Sequence, residues 1–172
     1  MLDILKKLEG GDRRSIGRAD EVAKHVWEHP ELFPVIFRGM LHNDPLIRMR
    51  SADAIEKVTA RRPDLLQPHK TALIQEMAAV KQQEVRWHVA QMLPRLRLDQ
   101  DEVETVVTIL MEYLEDASSI VKTSSMQALA DLAMSHHDLR PRVIPLIQRL
   151  TREGTPAMRS RGRKLLARLM PG

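Results

Sequence analysis

The sequence predicts an all-α protein, a right-handed α-solenoid of stacked antiparallel helix pairs, about four pairs preceded by N-terminal helices. Three observations predict it. Pairs of an apolar and a basic residue, Ile47-Arg48, Val85-Arg86, Val121-Lys122 and Met158-Arg159, recur at spacings of 38, 36 and 37 residues. Each is followed at offsets +4, +7 and +11 by residues fit for a core. These are Ser51, Ala54 and Val58; Val89, Met92 and Leu96; Ser125, Ala128 and Leu132; Gly162, Leu165 and Leu169. Those offsets share one helix face. No strand-like alternation or Asn-Gly hairpin signal interrupts the pattern.

The elements follow in order as one domain over residues 1–172. Residues 1–17 read as an N-terminal cap with "LDILKKLE" as a helix, and 18–29 as a degenerate first unit around "RADEVAKHVWEH". The repeat units are 30–62, 63–98, 99–136 and 137–172. Their first helices are "ELFPVIFRGML", "PHKTALIQEMAAV", "DEVETVVTILMEYL" and "PRVIPLIQRL". Asp44-Pro45 and Thr155-Pro156 each place a capping side chain before a proline in the first turn. Asp99 with Glu102 reads as a capping box, and Pro68 and Pro141 suit a first turn, where the missing N–H is not needed. A pair of about 37 residues buries its apolar face only against neighbouring pairs, which is why the helix is written four times.

Composition narrows the chemistry. There is no cysteine, which removes disulfides, thiolate nucleophiles and Cys-ligated zinc, and fits a cytoplasmic protein. The opening "MLDILKKLEGGDRR" is charged throughout and does not read as a secretory signal. No stretch approaches the ~20 apolar residues of a membrane span, so no membrane role is expected. Two Trp, one Tyr and two Phe are few for a nucleic-acid stacking platform. Charge is uneven: residues 140–172 carry nine Lys or Arg against Glu153 alone, while residues 99–116 carry seven acids and no Lys or Arg.

The order of a Pro/Leu-bearing first helix, a turn and a second helix with Val-Arg and small residues resembles HEAT repeats, the armadillo-like α-solenoids. It covers roughly residues 18–170. Asp44, Ile47-Arg48 and Ala52 carry the first copy, Val85-Arg86 and Ala90 the second; Lys122 stands for Arg in the third, and Gly162 lies within the last helix. The resemblance implies a non-enzymatic scaffold that binds an unknown protein or peptide in a concave groove lined by second helices. A minority of such proteins, the HEAT-like alkylpurine DNA glycosylases, bind DNA and excise bases. That activity needs aromatic walls around a flipped base. Here Trp87 with Asp53 lacks a second groove aromatic, since Trp27 falls in the degenerate unit and Tyr113 on an outer helix. Asp53 and Glu56 would also repel phosphate. No enzyme, cofactor or metal is expected.

The groove side lies near offsets +2, +6 and +9: Met49, Asp53 and Glu56; Trp87, Gln91 and Pro94; Thr123, Gln127 and Ala130; Ser160, Lys164 and Ala167. The predicted protein-binding residues are Met49, Asp53, Glu56, Trp87, Gln91, Thr123, Gln127 and Lys164. Trp87 is the expected anchor, because it offers large contact area with few rotors to freeze; packing along a helix seam is the competing role. Pro94 is expected to kink its helix beyond Trp87.

The alternative is nucleic-acid binding by Arg159, Arg161, Arg163, Lys164 and Arg168, whose density suits phosphate contact. A solvated end cap explains the same charges. Arg48, Arg86, Lys122 and Arg159 form a possible basic ladder, or else brace turn carbonyls and acids such as Asp44 and Asp116. "HVWEH", His25–His29, matches the H-x-x-E-H pattern but lacks a third ligand and a peptidase context. "SHHD", residues 135–138, reads as a solvated turn. The chain is expected to be a monomer or to self-associate weakly, its acidic helix facing a basic end.

Overall fold

A computed structural model describes residues 4–12 and 14–171; the start of the expected cap, Arg13 and Gly172 lie outside the described residues. Among those described there are nine α-helices and no strand. They fall into two compact units, Met1–Arg97 and Leu98–Gly172.

The first unit holds α1 (Ala19–Glu28), α2 (Phe33–Gly39), α3 (Pro45–Arg61), α4 (Lys70–Gln75) and α5 (Gln83–Met92). The central helix is α3, which packs against α1, α2 and α5. It starts where Asp44 accepts a hydrogen bond from the Leu46 N–H at 2.8 Å, with Pro45 in the first turn. The cap segment departs from expectation: Ile4–Leu8 is a 3-10 turn rather than an α-helix. Its Ile4 and Leu8 are nevertheless buried. The helix expected over "PHKTALIQEMAAV" is also broken, a single α-helical stretch between 3-10 turns at Gln67–His69 and Met77–Ala79.

Pro94 does not kink a continuing helix. The α-helix stops at Met92, and Leu93–Arg95 turns as 3-10. Proline lacks the N–H that would bond the Ala90 carbonyl, and a tighter turn carries the chain out.

The second unit holds α6 (Gln100–Tyr113), α7 (Ser119–Ser135), α8 (Arg140–Glu153) and α9 (Pro156–Leu169). The capping box at its start is reciprocal: Asp99 accepts from the Glu102 N–H and Glu102 from the Asp99 N–H, both at 2.9 Å. Thr155 caps α9 through the Met158 N–H at 3.3 Å. Gly162, which weakens a helix in isolation, is the point where α9 meets α8. A Cβ there would stand 1.9 Å from Thr151 Oγ1. The glycine permits the close approach.

All sixteen residues at offsets 0, +4, +7 and +11 are buried, from Ile47 in α3 to Leu169 in α9. Fifteen of them lie in α3, α5, α7 and α9, whose inward face the 3.6-residue period marks; Leu96 is buried just past the 3-10 turn that follows α5.

Candidate functional site

A functional candidate is a pocket of about 320 Å³ in the first unit, bordered by α3, α5 and the loop before α1. From α3 come Met49, Arg50 and Asp53; from α5, Glu84, Trp87 and His88; from the loop, Arg14, Ser15 and Ile16. Three of the predicted protein-binding residues, Met49, Asp53 and Trp87, are brought together here.

The loop wall is held by Arg50. Its side chain is 1% exposed. Nη1 donates to the carbonyls of Leu8 and Gly10, both at 2.6 Å, Nη2 to that of Asp12 at 3.2 Å and Nε to that of Ser15 at 3.3 Å. The loop must turn tightly to aim its carbonyls at one guanidinium. Gly10 and Gly17 supply positive φ values of 71° and 56°. A Cβ on Gly17 would also come within 2.9 Å of the guanidinium carbon of Arg50.

On the opposite wall, Trp87 is half-buried and packs at 5.6 Å and 59° against the ring of His88. His88 is buried, its Nδ1 3.1 Å from Gln91 Oε1 and its Nε2 3.8 Å from Asp53 Oδ1. Burial pushes the imidazole below the ordinary histidine value, more than the carboxylates of Asp53 and Glu56 raise it. Asp53 Oδ2 accepts from Lys57 Nζ at 2.7 Å, and Lys57 also reaches Asp20. Burial lowers the Lys57 pKa, but the hydrogen bonds to the two aspartates outweigh it and set it above the ordinary lysine value. Glu84 Oε2 is shielded from solvent and accepts no hydrogen bond.

Met49, expected on the groove surface, is only 8% exposed, because it forms part of this pocket wall. Glu56 does not enter the pocket; it pairs with Arg95, which also donates to the Glu56 carbonyl and to Thr59 Oγ1, each at 2.8 Å. Gln91 is exposed at the end of α5, tied to His88.

In the second unit Thr123 turns its hydroxyl back to the Ser119 carbonyl at 2.7 Å. Gln127 donates to Asp131 at 2.9 Å and accepts from Arg161 at 2.8 Å. Arg168 reaches the same Asp131 at 3.2 Å. Two members of the C-terminal basic cluster thus bind α7, while Arg159, Arg163 and Lys164 stand exposed on α9.

The basic ladder is not a free row of charges. Arg48 donates to the turn carbonyls of His42 and Asn43 at 2.8 and 3.0 Å and to Gln82 at 2.8 Å. Arg86 is buried and donates to the Val80 carbonyl at 3.3 Å. His25 Nε2 lies 3.1 Å from Lys7 Nζ, and His29 Nδ1 3.3 Å from Glu31. Among the described residues no three His, Asp or Glu side chains stand together as a metal ligand set. No helix there is long and apolar enough to cross a membrane.

Sequence reasoning missed Arg50, His88 and Glu84. Arg50 and His88 both lie at offset +3 in their helices, on the edge of the buried stripe, and that offset was the available signal.

No protein-family model matches the chain, and no curated protein matches it.

Proposed function

We propose that this chain is a non-enzymatic interaction module of the HEAT-like α-solenoid type, acting in the cytoplasm, which binds a peptide or a partner domain with Trp87 as its anchor. The period of about 37 residues and the burial of its sixteen core offsets support the repeat reading. The observation that carries the binding role is the pocket, where half-buried Trp87 and buried Met49 border the same cavity as ionisable groups. Large apolar area beside placed polar groups is the usual makeup of a contact centre. Truncating Trp87 to Ala should weaken retention of a partner by more than about 1 kcal/mol while leaving the far-ultraviolet helix signal intact. Unchanged retention removes Trp87 from the interface.

A second reading draws on α9. Arg159, Arg163 and Lys164 are exposed together, which suits a phosphate backbone. It predicts that binding to duplex or single-stranded nucleic acid falls steeply with salt. Charge reversal at these three residues should abolish that binding; a salt-insensitive interaction counts against it.

A further inference from the structure

The Trp87 pocket has two kinds of wall. Trp87, Met49 and Ile16, the last 46% exposed, make an apolar surface. Glu84 and Asp53 supply carboxylates that differ in how they are satisfied. Asp53 Oδ2 is taken by Lys57 at 2.7 Å. Glu84 Oε2 is shielded and takes nothing. Glu84 is only half-buried and borders the pocket, and a carboxylate that no cation has taken attracts one brought to its accessible side, where a charge-assisted hydrogen bond is the strong kind. Neither arginine that borders the pocket donates to Glu84 Oε2: the donors of Arg50 go to the carbonyls of Leu8, Gly10, Asp12 and Ser15, and Arg14 stands on the exposed loop.

The missing group is therefore a donor carried on an apolar stem. Lysine and arginine side chains have that form, with methylenes that cover apolar surface and a charged head that seeks an acid. An aromatic face next to the carboxylate adds attraction for the same cation. The molecule already makes one such contact elsewhere, since the Arg61 guanidinium lies 4.3 Å from the centre of the Trp27 ring.

We propose that this pocket receives a lysine or arginine side chain of a partner polypeptide, its stem against Trp87, Met49 and Ile16 and its head on Glu84. This rests on the protein-binding reading above and names the partner's chemistry. The test is a titration of the ¹⁵N-labelled chain with acetyl-Gly-Arg-Gly-amide, acetyl-Gly-Lys-Gly-amide, acetyl-Gly-Leu-Gly-amide and acetyl-Gly-Glu-Gly-amide. The two tryptophan indole N–H signals are followed, with Trp27 as the internal control. The expected result is a saturable shift of the Trp87 signal with a basic peptide. Trp27 should stay still, and E84Q should weaken the response at least tenfold. A stronger response to the leucine or glutamate peptide, no saturable response to either basic peptide, or an unchanged response in E84Q overturns the proposal. Should the basic peptides fail while Trp87→Ala still releases a partner, the binding reading stands and only this assignment falls. Should both fail, both fall.

Discussion

The chain's two tryptophans, Trp27 on α1 and Trp87 on α5, are both half-buried, yet they stand in different company. Trp27 is covered by the Arg61 guanidinium, and its indole N–H points at the Val58 carbonyl at 3.5 Å, the far limit of a hydrogen bond. Trp87 touches His88 and otherwise borders a pocket. The difference lies in what neighbouring elements supply. The last turn of α3 gives Trp27 a cover. Further up, α3 brings Met49 and Asp53 to the pocket that Trp87 borders, and the loop facing them is held by Arg50. A tryptophan with its cover built in contributes to stability; one beside a cavity has surface left for a partner.

Releasing the loop from Arg50 should separate the two tryptophans most clearly. Arg50→Met should destabilise the chain by about 3 kcal/mol, since it strips a charged donor from four carbonyls. It should change Trp87 emission before global unfolding while leaving Trp27 emission alone, read in Trp27→Phe and Trp87→Phe backgrounds. Simultaneous change in both signals would show that the loop is no separate wall. Next in size, Trp27→Ala should cost roughly 1–2 kcal/mol in urea unfolding, and more than Trp87→Ala. The reverse ranking would make Trp87 the packing residue.

Mild acid sharpens the contrast further. The folded-state pKa of His88 lies below the ordinary 6.5, with burial as the leading cause, and His69 is lowered by burial too. A histidine kept neutral by folding contributes stability that is full above pH 6.5 and is lost as pH falls from there toward the folded pKa. Stability should therefore decline below pH 6.5, and His88→Asn should flatten part of that slope. The tie between the N-terminal turn and α1 responds later. Glu21, hydrogen-bonded by Arg18 and Lys7, is held down at about 2. Its contribution is full above pH 4.5 and is lost progressively as pH falls from there through about 2, which a carboxyl NMR titration would read directly. The smallest effect belongs to Arg61→Ala, about 0.5 kcal/mol, with a shift in Trp27 emission and none in Trp87.

The sequence was informative where a rule is local. The offsets +4, +7 and +11 are buried throughout, and in every case but Leu96, which lies past the end of α5, a 3.6-residue turn maps them onto one face. Asp44, Thr155 and the Asp99–Glu102 pair cap as read, because capping needs only neighbours along the chain. The site was legible in part. Trp87, Met49 and Asp53 meet as the shared groove offsets suggest. Arg50 was not legible, because an arginine in a helix reads as surface and its carbonyl partners lie 35 to 42 residues earlier. Glu56 was misplaced for a similar reason: its partner Arg95 comes from 39 residues later, past a helix end set by Pro94. The expected helix over "PHKTALIQEMAAV", of which α4 is one piece, shows the same limit, since no single turn signal there announces three short pieces.

The carbonyl cage around Arg50 bears on how the chain tolerates shortening. Residues 9–12 look expendable: exposed, glycine-rich and without α-helix. Cutting the chain back to Arg18 would remove every acceptor the Arg50 side chain has in the cage and leave a cation where water reaches poorly. The segment behaves as a counterpart made of main chain, whose side-chain identities matter less than its path. Substitutions within it that keep the turns should be accepted freely, whereas a single deletion would move the acceptors out of register with a side chain that cannot follow.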